Sequence, residues 1–400
     1  MKRWCSSTTA VAGAIARGAS YTKARALVQV LVLALTAFTG CATTSLRPPS
    51  GDSSQRVGDI ALDQYVGLYE VAPGFAFTVS KEGARLMIEG MGFSRSELVW
   101  NSGNRFRNKG ADLPVTFGYD GDGNISHLTV EHEGQPVQLT KVPPLSKREL
   151  AAFKQRSYLE VPIRGSETRS LRSSEIGQEY RLYVYLPRSY GYANRRYPAI
   201  YILDADADFG LAAHLIPQRA AGREIPELVI VGIAYGEGVP EGLNPRYRDF
   251  VPSAFGGQAE KYLNFLRREL IPFIDSEYRT DPSDRTICGH SLGGVFAAFV
   301  LFETPPLFSR YLVGAPGILP AAAEANYARA HSELAAKVFL TVGSLEGDKR
   351  VSELTEFGRT LAGRDYKGLE VTTRIIEGES HVSFFAEAFN RGLTALFHTK

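Results

Sequence analysis

Gly289-His290-Ser291-Leu292-Gly293, followed by Gly294, has the form G-x-S-x-G. In that pattern a serine sits on a sharp turn between a strand and a helix. The flanks suit it. Arg285-Thr286-Ile287-Cys288 reads as a short buried strand, and Val295 to Phe302 reads as a buried helix. Glycines are required where a turn is tight and neighbouring chains approach closely. The competing reading is a glycine-rich strand-to-helix turn whose serine merely caps the helix.

A serine is a poor nucleophile unless a base lies in hydrogen-bond reach and a third group orients that base. Where such an elbow carries a triad, the acid and then the histidine follow the serine in the chain. Of the seven histidines, only His331, His381 and His398 follow Ser291. His398 is close to the C-terminus, where chains often fray. His331 sits in the polar, alanine-rich stretch from Asn326 to Glu333, which reads as an exposed helix. His381 follows the strand pattern Leu369 to Ile376, within Ile376-Glu377-Gly378-Glu379-Ser380-His381. A loop after a strand is where a base would be held, so His381 is the candidate, against a surface-loop histidine.

The acid is expected after the preceding strand, Lys337 to Val342, in Gly343-Ser344-Leu345-Glu346-Gly347-Asp348. Glu346 comes sooner after the strand and is flanked by Leu345 and Gly347, which favours it. Asp348 opens the charged run Asp348-Lys349-Arg350 and is the alternative. An oxyanion needs two backbone N–H donors. Leu292, the residue after the serine, is one. The loop after an earlier strand gives the other. That strand is Tyr197 to Leu203, so the donor is Ala205 or Asp206. The alternating Asp204, Asp206 and Asp208 also suggest a calcium loop, but the central glycine and distal glutamate of an EF-hand are missing. No metal and no cofactor is expected.

From about Gln178 to His398 the chain resembles the putative-esterase branch of the α/β-hydrolases, which includes enterobactin, salmochelin and feruloyl esterases. Tyr197-Pro198-Ala199-Ile200-Tyr201-Ile202-Leu203-Asp204-Ala205-Asp206 is similar to the family's Y-P-x-x-Y-x-L-D-[GA]-D. Arg248-Asp249-Phe250-Val251-Pro252 is similar to its R-D-x-x-P. Phe265 to Ile274 and Tyr278-Arg279-Thr280 resemble the helix and turn before the elbow. Gly289 to Gly294, Gly343 to Glu346 and Gly378 to His381 resemble its elbow, acid loop and histidine loop. Beyond the elbow helix the family often has S-P-S followed by tryptophan, whereas this chain has Gly314-Ala315-Pro316-Gly317-Ile318. The resemblance implies an α/β-hydrolase doubly wound sheet and a serine carboxylic-ester hydrolase working through an acyl-enzyme. Ser291 would be its nucleophile, His381 its base and Glu346 its acid. It also implies a small-molecule ester substrate, siderophore-like or aromatic. Acyl transfer to another alcohol is the alternative within the same chemistry, and a non-catalytic envelope-binding lipoprotein is the alternative outside it.

Composition agrees with a globular enzyme. The 400 residues are 44% hydrophobic and 22% charged, ordinary values for a folded protein. The formal charge of +2 is misleading, because residues 1–40 hold five bases and no acid. Residues 41–400 carry 40 bases against 43 acids, so nothing argues for nucleic acid. The leader reads as a secretion signal. Its apolar run, Ala26 to Phe38, is too short to span a bilayer comfortably. It ends in Phe38-Thr39-Gly40-Cys41, which resembles a bacterial lipobox with Cys41 as the lipidated first residue. The expected location is the periplasmic face of a bacterial envelope, as an outer-membrane lipoprotein. The alternative is an ordinary signal peptide and a soluble periplasmic or secreted protein. Apart from Cys5 and Cys41 there is only Cys288, which reads as a buried strand residue.

Residues 41–58 have linker composition. Residues 59–142 then change character. Apolar and aromatic runs at Tyr65–Val71, Phe75–Val79, Arg85–Ile88, Leu98–Trp100, Val115–Tyr119, His127–Val130 and Val137–Leu139 are separated by turns such as Asp120-Gly121-Asp122-Gly123. This spacing predicts a small all-β domain. Through Leu62-Asp63-Gln64-Tyr65-Val66-Gly67-Leu68-Tyr69-Glu70 it resembles a β domain often appended to serine β-lactamase-like proteins. Residues 143–157 read as a linker and 158–400 as the catalytic domain. Ser157–Pro162 and Glu179–Pro187 alternate like antiparallel strands. Ala199–Leu203 and Leu228–Ala234 are continuous apolar runs, as in a sheet buried on both faces. Gln258–Tyr278 is an amphipathic helix whose apolar face includes Tyr262, Phe265, Leu266, Leu270, Phe273 and Ile274. Pro272 is expected to kink it.

Overall fold

The computed structural model describes residues 62–72, 75–90, 93–110, 113–132, 135–143, 162–235 and 245–398. Cys41, the leader, the tether and most of the expected strand Ser157–Pro162 lie outside the described residues. The chain divides into two compact units.

The first unit is a closed antiparallel barrel of eight strands. These are β1 Gly67–Ala72, β2 Phe75–Glu82, β3 Arg85–Gly90, β4 Phe93–Ser102, β5 Arg105–Asn108, β6 Leu113–Tyr119, β7 Ile125–His132 and β8 Gln135–Val142. Neighbours in sequence are neighbours in the barrel, and β8 closes on β1 through Leu68 opposite Val142. Pairs two residues apart point inward, such as Leu86 with Ile88, Val115 with Phe117 and Val137 with Leu139. That alternation makes a half-buried strand legible. The interior is filled by side chains. The 3-10 turn Leu62–Tyr65 places the Tyr65 ring 4.7 Å from Phe117 and 5.1 Å from Phe106. Two details differ from the pattern reading. Tyr65 lies in that turn rather than in a strand, and β5 was missed because only Phe106 of its four residues is buried. Asp120 to Asn124 is a hairpin turn: the Asp120 carboxylate accepts the N–H groups of Asp122 and Asn124.

The second unit is an eight-stranded sheet of order β16-β15-β14-β13-β11-β12-β10-β9. Its strands are β9 Ser166–Arg172, β10 Glu179–Tyr185, β11 Tyr197–Ile202, β12 Val229–Ala234, β13 Thr280–His290, β14 Arg310–Gly314, β15 Glu333–Gly343 and β16 Lys367–Ile376. From β12 to β16 every pairing is parallel, and β10 and β9 are added antiparallel at one edge. Every residue of β12 is buried, as a strand covered on both faces requires. The edge strands β9 and β16 are mostly exposed. The antiparallel partner of β10 is thus Ser166–Arg172. Its exposed, polar sequence gave no strand signal.

The helices between strands are α1 Ala205–Ala221, α2 Arg246–Phe250, α3 Ala259–Phe265, α4 Ile271–Glu277, α5 Leu292–Phe299, α6 Ala321–Ala330, α7 Asp348–Ala362 and α8 Phe385–Phe397. The amphipathic stretch expected as one kinked helix is α3 and α4 joined by a π-helical turn, Leu266–Leu270. Pro272 stands at the second position of α4. It has no N–H to donate back, and the wider turn ahead of it takes up the change in the ladder. Tyr262, Phe265, Leu266, Leu270 and Ile274 are buried, whereas Phe273 is only half-buried. The stretch read as an exposed helix around Asn326 starts earlier, at Ala321, and ends before His331. One of its residues, Glu324, is buried under Arg364 and Tyr366.

Candidate active site

Parallel strands carry the loops that follow them to one edge of the sheet, where ligands bind in this architecture. Register brings the candidate residues to that edge. His290 at the end of β13 pairs with Gly314 of β14, Gly314 pairs with Thr341 of β15, and Gly343 pairs with Ile376 of β16. Ser291, the acid loop and the histidine loop therefore leave neighbouring strand ends.

Ser291 joins β13 to α5 with φ 58° and ψ −119°. A non-glycine residue held there is strained, and such strain gathers at functional sites. The fold leaves no freedom to relax it. The Ser291 N–H donates to the Gly314 carbonyl at 2.9 Å, and its own carbonyl accepts the Val295 N–H at 3.0 Å. A Cβ on Gly289 would run into the Gly293 carbonyl, and one on Gly294 into the Gly314 carbonyl. Those two glycines are what permits the tight approach of α5 to β13 and β14.

Glu346 and His381 are both buried, at 4% and 5% exposure. The His381 Nδ1 and Glu346 Oε2 are 2.6 Å apart. The Gly343 N–H donates to the other carboxylate oxygen at 3.1 Å, and Arg350 Nη1 lies 3.5 Å from Oε2. Asp348 is exposed at the first residue of α7. The acid and histidine loops are tied together by Leu345 N–H to the Glu379 carbonyl and Gly378 N–H to Ser344 Oγ, each at 2.9 Å. His381 Nε2, the nitrogen turned away from Glu346, is buried without a partner. His331 follows α6 in extended backbone with its ring 4.3 Å from Tyr327, and His398 is exposed just after α8.

Pattern reading missed His290. Its ring centroid lies 4.8 Å from that of His381, 5.1 Å from Phe384 and 5.3 Å from Phe385, nearly parallel to the last. Burial holds the His290 imidazole well below its ordinary range, helped by the like charges of His381, Arg246 and Arg350. It lies tilted beside the His381 ring and stacks on Phe385. The only sequence signal was its position beside the serine.

Leu292 is the first residue of α5, and Ala205 and Asp206 are the first two of α1. First-turn N–H groups have no intrahelical acceptor. The two corners meet: a Cβ on Gly293 would stand 3.0 Å from Asp204 Oδ2 and 3.3 Å from Leu203 Cβ. The aspartates of this corner are engaged within the protein. Asp204 is paired with Arg246, and the Asp206 carboxylate accepts the Tyr235 N–H and the Tyr183 hydroxyl. Among the described residues no cluster of histidine, cysteine and carboxylates could hold a metal ion.

Similarity to known proteins covers the second unit. The family model described as putative esterase matches residues 173–394. The ferri-bacillibactin esterase BesA of Bacillus subtilis is 29% identical over 268 residues, which are 59% of this chain and 91% of that protein. The crystal structure of the BES protein from Bacillus cereus superposes with a TM-score of 0.55 at 26% identity, covering 61% of this chain and 99% of that one. An IroE-like serine hydrolase from Shewanella oneidensis gives a TM-score of 0.52 at 24% identity, over 58% of this chain and 80% of that one.

Proposed function

The chain belongs to the putative-esterase family of ester hydrolases, and we propose that it cleaves carboxylic esters through an acyl-enzyme on Ser291. The observation that carries this reading is the buried 2.6 Å contact between Glu346 and His381 at the sheet edge that also holds Ser291. Glu346 fixes the tautomer in which Nδ1 carries the proton and Nε2 is free to accept one. His381 Nε2 takes the Ser291 proton as Oγ attacks the ester carbonyl. The carbonyl oxygen gains its charge beside the N–H groups of Leu292 and of Ala205 or Asp206. His381 then protonates the departing alcohol. Water repeats the sequence on the acyl-enzyme and frees the acid.

The substrate we propose is a siderophore-type ester. The support is the match to BesA, whose name gives ferri-bacillibactin as its substrate, over 91% of that protein. Gly314-Ala315-Pro316-Gly317 bears no hydroxyl, so contacts to the substrate must differ there from relatives with serines. The test has two steps. Ser291→Ala should abolish p-nitrophenyl butyrate hydrolysis and organophosphonate labelling while leaving the fold intact. A variant that labels like wild type would remove Ser291 from the role. Wild type should then cleave a ferric siderophore ester faster than methyl ferulate, and the opposite ranking would move the substrate to aromatic esters. We further propose that Cys41 is the lipid-modified first residue of a mature envelope protein. The support is the apolar run ending at Thr39-Gly40-Cys41 and the linker-like residues after it.

A further inference from the structure

The β11–α1 corner is built around a residue in the left-handed conformation, which is uncommon outside glycine although aspartate enters it more readily than most side chains. Asp204 has left-handed backbone, φ 53° and ψ 41°, immediately before Ala205 and Asp206. Its side chain makes no cap bond to α1. Both carboxylate oxygens go instead to Arg246, the first residue of α2: Nε donates to Oδ1 at 2.9 Å and Nη2 to Oδ2 at 2.7 Å. The pair is largely enclosed, with side-chain exposures of 22% and 15%. Asp204 Oδ2 is also the atom nearest the missing Cβ of Gly293. The clamped carboxylate thus stands where the α1 corner meets the elbow. Asp206 is pinned separately, by the Tyr235 N–H at 2.8 Å and the Tyr183 hydroxyl at 3.1 Å.

Resting on the serine-esterase reading above, we infer that Arg246 is a positioning residue of the oxyanion site. Its bidentate grip holds Asp204 in the left-handed turn that aims the N–H groups of Ala205 and Asp206. Arg246 acts through Asp204 and not on the substrate. A planar guanidinium can hold both oxygens at once, which a lysine ammonium cannot do in the same geometry. Donor placement matters only when charge reaches the carbonyl oxygen, so loss of the clamp should spare ground-state binding.

The test uses the full chain with Arg246→Met, Arg246→Lys, Asp204→Ala and the double variant Arg246→Met/Asp204→Ala. Each is assayed with p-nitrophenyl butyrate and with a trifluoromethyl ketone, which captures the serine as a tetrahedral oxyanion. A misplaced donor should lower kcat roughly 100-fold, leave KM within a few-fold and weaken the ketone in proportion to kcat/KM. The double variant should be no worse than either single one, and Arg246→Lys should recover little. In the Arg246→Met background, Asp204→Gly should restore part of kcat, because glycine takes the left-handed conformation without a clamp. If Arg246→Met and Asp204→Ala do not fold, Arg246→Lys carries the test, with kcat lowered at unchanged Tm. The inference is overturned if Arg246 variants raise KM at unchanged kcat, if Asp204→Ala keeps wild-type kcat, or if the two losses multiply. An active Ser291→Ala would sink the esterase reading itself. An inactive Ser291→Ala beside wild-type Arg246 variants would sink only the clamp.

Discussion

At Ser291 the backbone sits at φ 58°, a conformation that costs a non-glycine residue about 1–3 kcal/mol. The chain accepts this because the turn is over-determined by bonds to Gly314 and Val295. Two loops away, Glu346 and His381 are nearly dry, and the Glu346 carboxylate is held by the Gly343 N–H and Arg350 as well as by His381. Glu346→Gln should therefore lower kcat by roughly 10²–10⁴-fold, since the amide can no longer hold the required tautomer as a charge. Asp348→Asn, at an exposed helix start, should change kcat less than a few-fold, and steady-state kinetics on both variants reads the ranking. The reverse order would transfer the acid to Asp348, and two small effects would leave a Ser–His pair. His290 yields a pH prediction. Its folded pKa is lowered, while in the unfolded chain it titrates near the ordinary value of about 6.5. Below that pH the unfolded state binds a proton that the folded state refuses, so His290 contributes a loss of stability as pH falls. The slope is at most about 1.4 kcal/mol per pH unit. Thermal melts of His290→Gln between pH 7 and 5 should show a shallower fall in Tm than wild type. Parallel curves would mean that the imidazole titrates normally in place.

At the scale of elements, the elbow depends on what is missing from its glycines. Gly289→Ala would place a methyl group against the Gly293 carbonyl, a backbone atom that cannot swing aside. The cost should be about 1–3 kcal/mol or more from overpacking, together with most of the activity. Thermal denaturation and esterase assay of that variant measure both. An unchanged Tm would show that β13 and α5 can separate without penalty. Behind α2, Asp249 is only 1% exposed but fully engaged, accepting from Arg248 at 2.6 Å, Tyr180 at 2.6 Å and Tyr235 at 3.1 Å. The Arg248-Asp249 motif is thus a buried anchor for α2, the helix that begins with Arg246. Asp249→Ala should cost roughly 1–3 kcal/mol, because it strands the two buried hydroxyls of Tyr180 and Tyr235 beside a partly exposed Arg248 guanidinium. A chemical-denaturation midpoint is the readout.

For the whole molecule, all proposed chemistry lies in the second unit. The family match, residues 173–394, lies within the span of this unit. Residues 158–400 should accordingly hydrolyse p-nitrophenyl butyrate with kcat/KM within a few-fold of the full chain. A folded but inactive fragment would mean that the barrel contributes to the site. The anchor is tested separately. Mass spectrometry of the mature N-terminus should find a lipid-modified Cys41, and Cys41→Ser should release soluble or unprocessed protein. A free N-terminus at another residue would reduce the leader to simple secretion.

Features that depend on local order along the chain were legible before folding was considered. Short apolar and aromatic runs separated by turns marked seven of the barrel strands, and continuous apolar runs marked two central strands of the second sheet. The G-x-S-x-G motif nominated Ser291, chain order after two strand patterns nominated His381 and the pair Glu346 or Asp348, and the flanking Leu345 and Gly347 favoured Glu346. Short or polar elements escaped, since β5 buries one residue and β9 lies exposed at an edge. Other features depend on distance across the sheet and emerge only in the folded chain. Glu346 rather than Asp348 contacts His381 because its side chain is the one that turns inward toward the loop after β16. The approach of His290 to His381, 4.8 Å between ring centroids, joins the end of β13 to the loop after β16, and those two strands are not paired. The Arg246 grip on Asp204 spans 42 positions of sequence, and no local pattern could announce it, because a bidentate ion pair is defined by angles that exist only once both elements have packed.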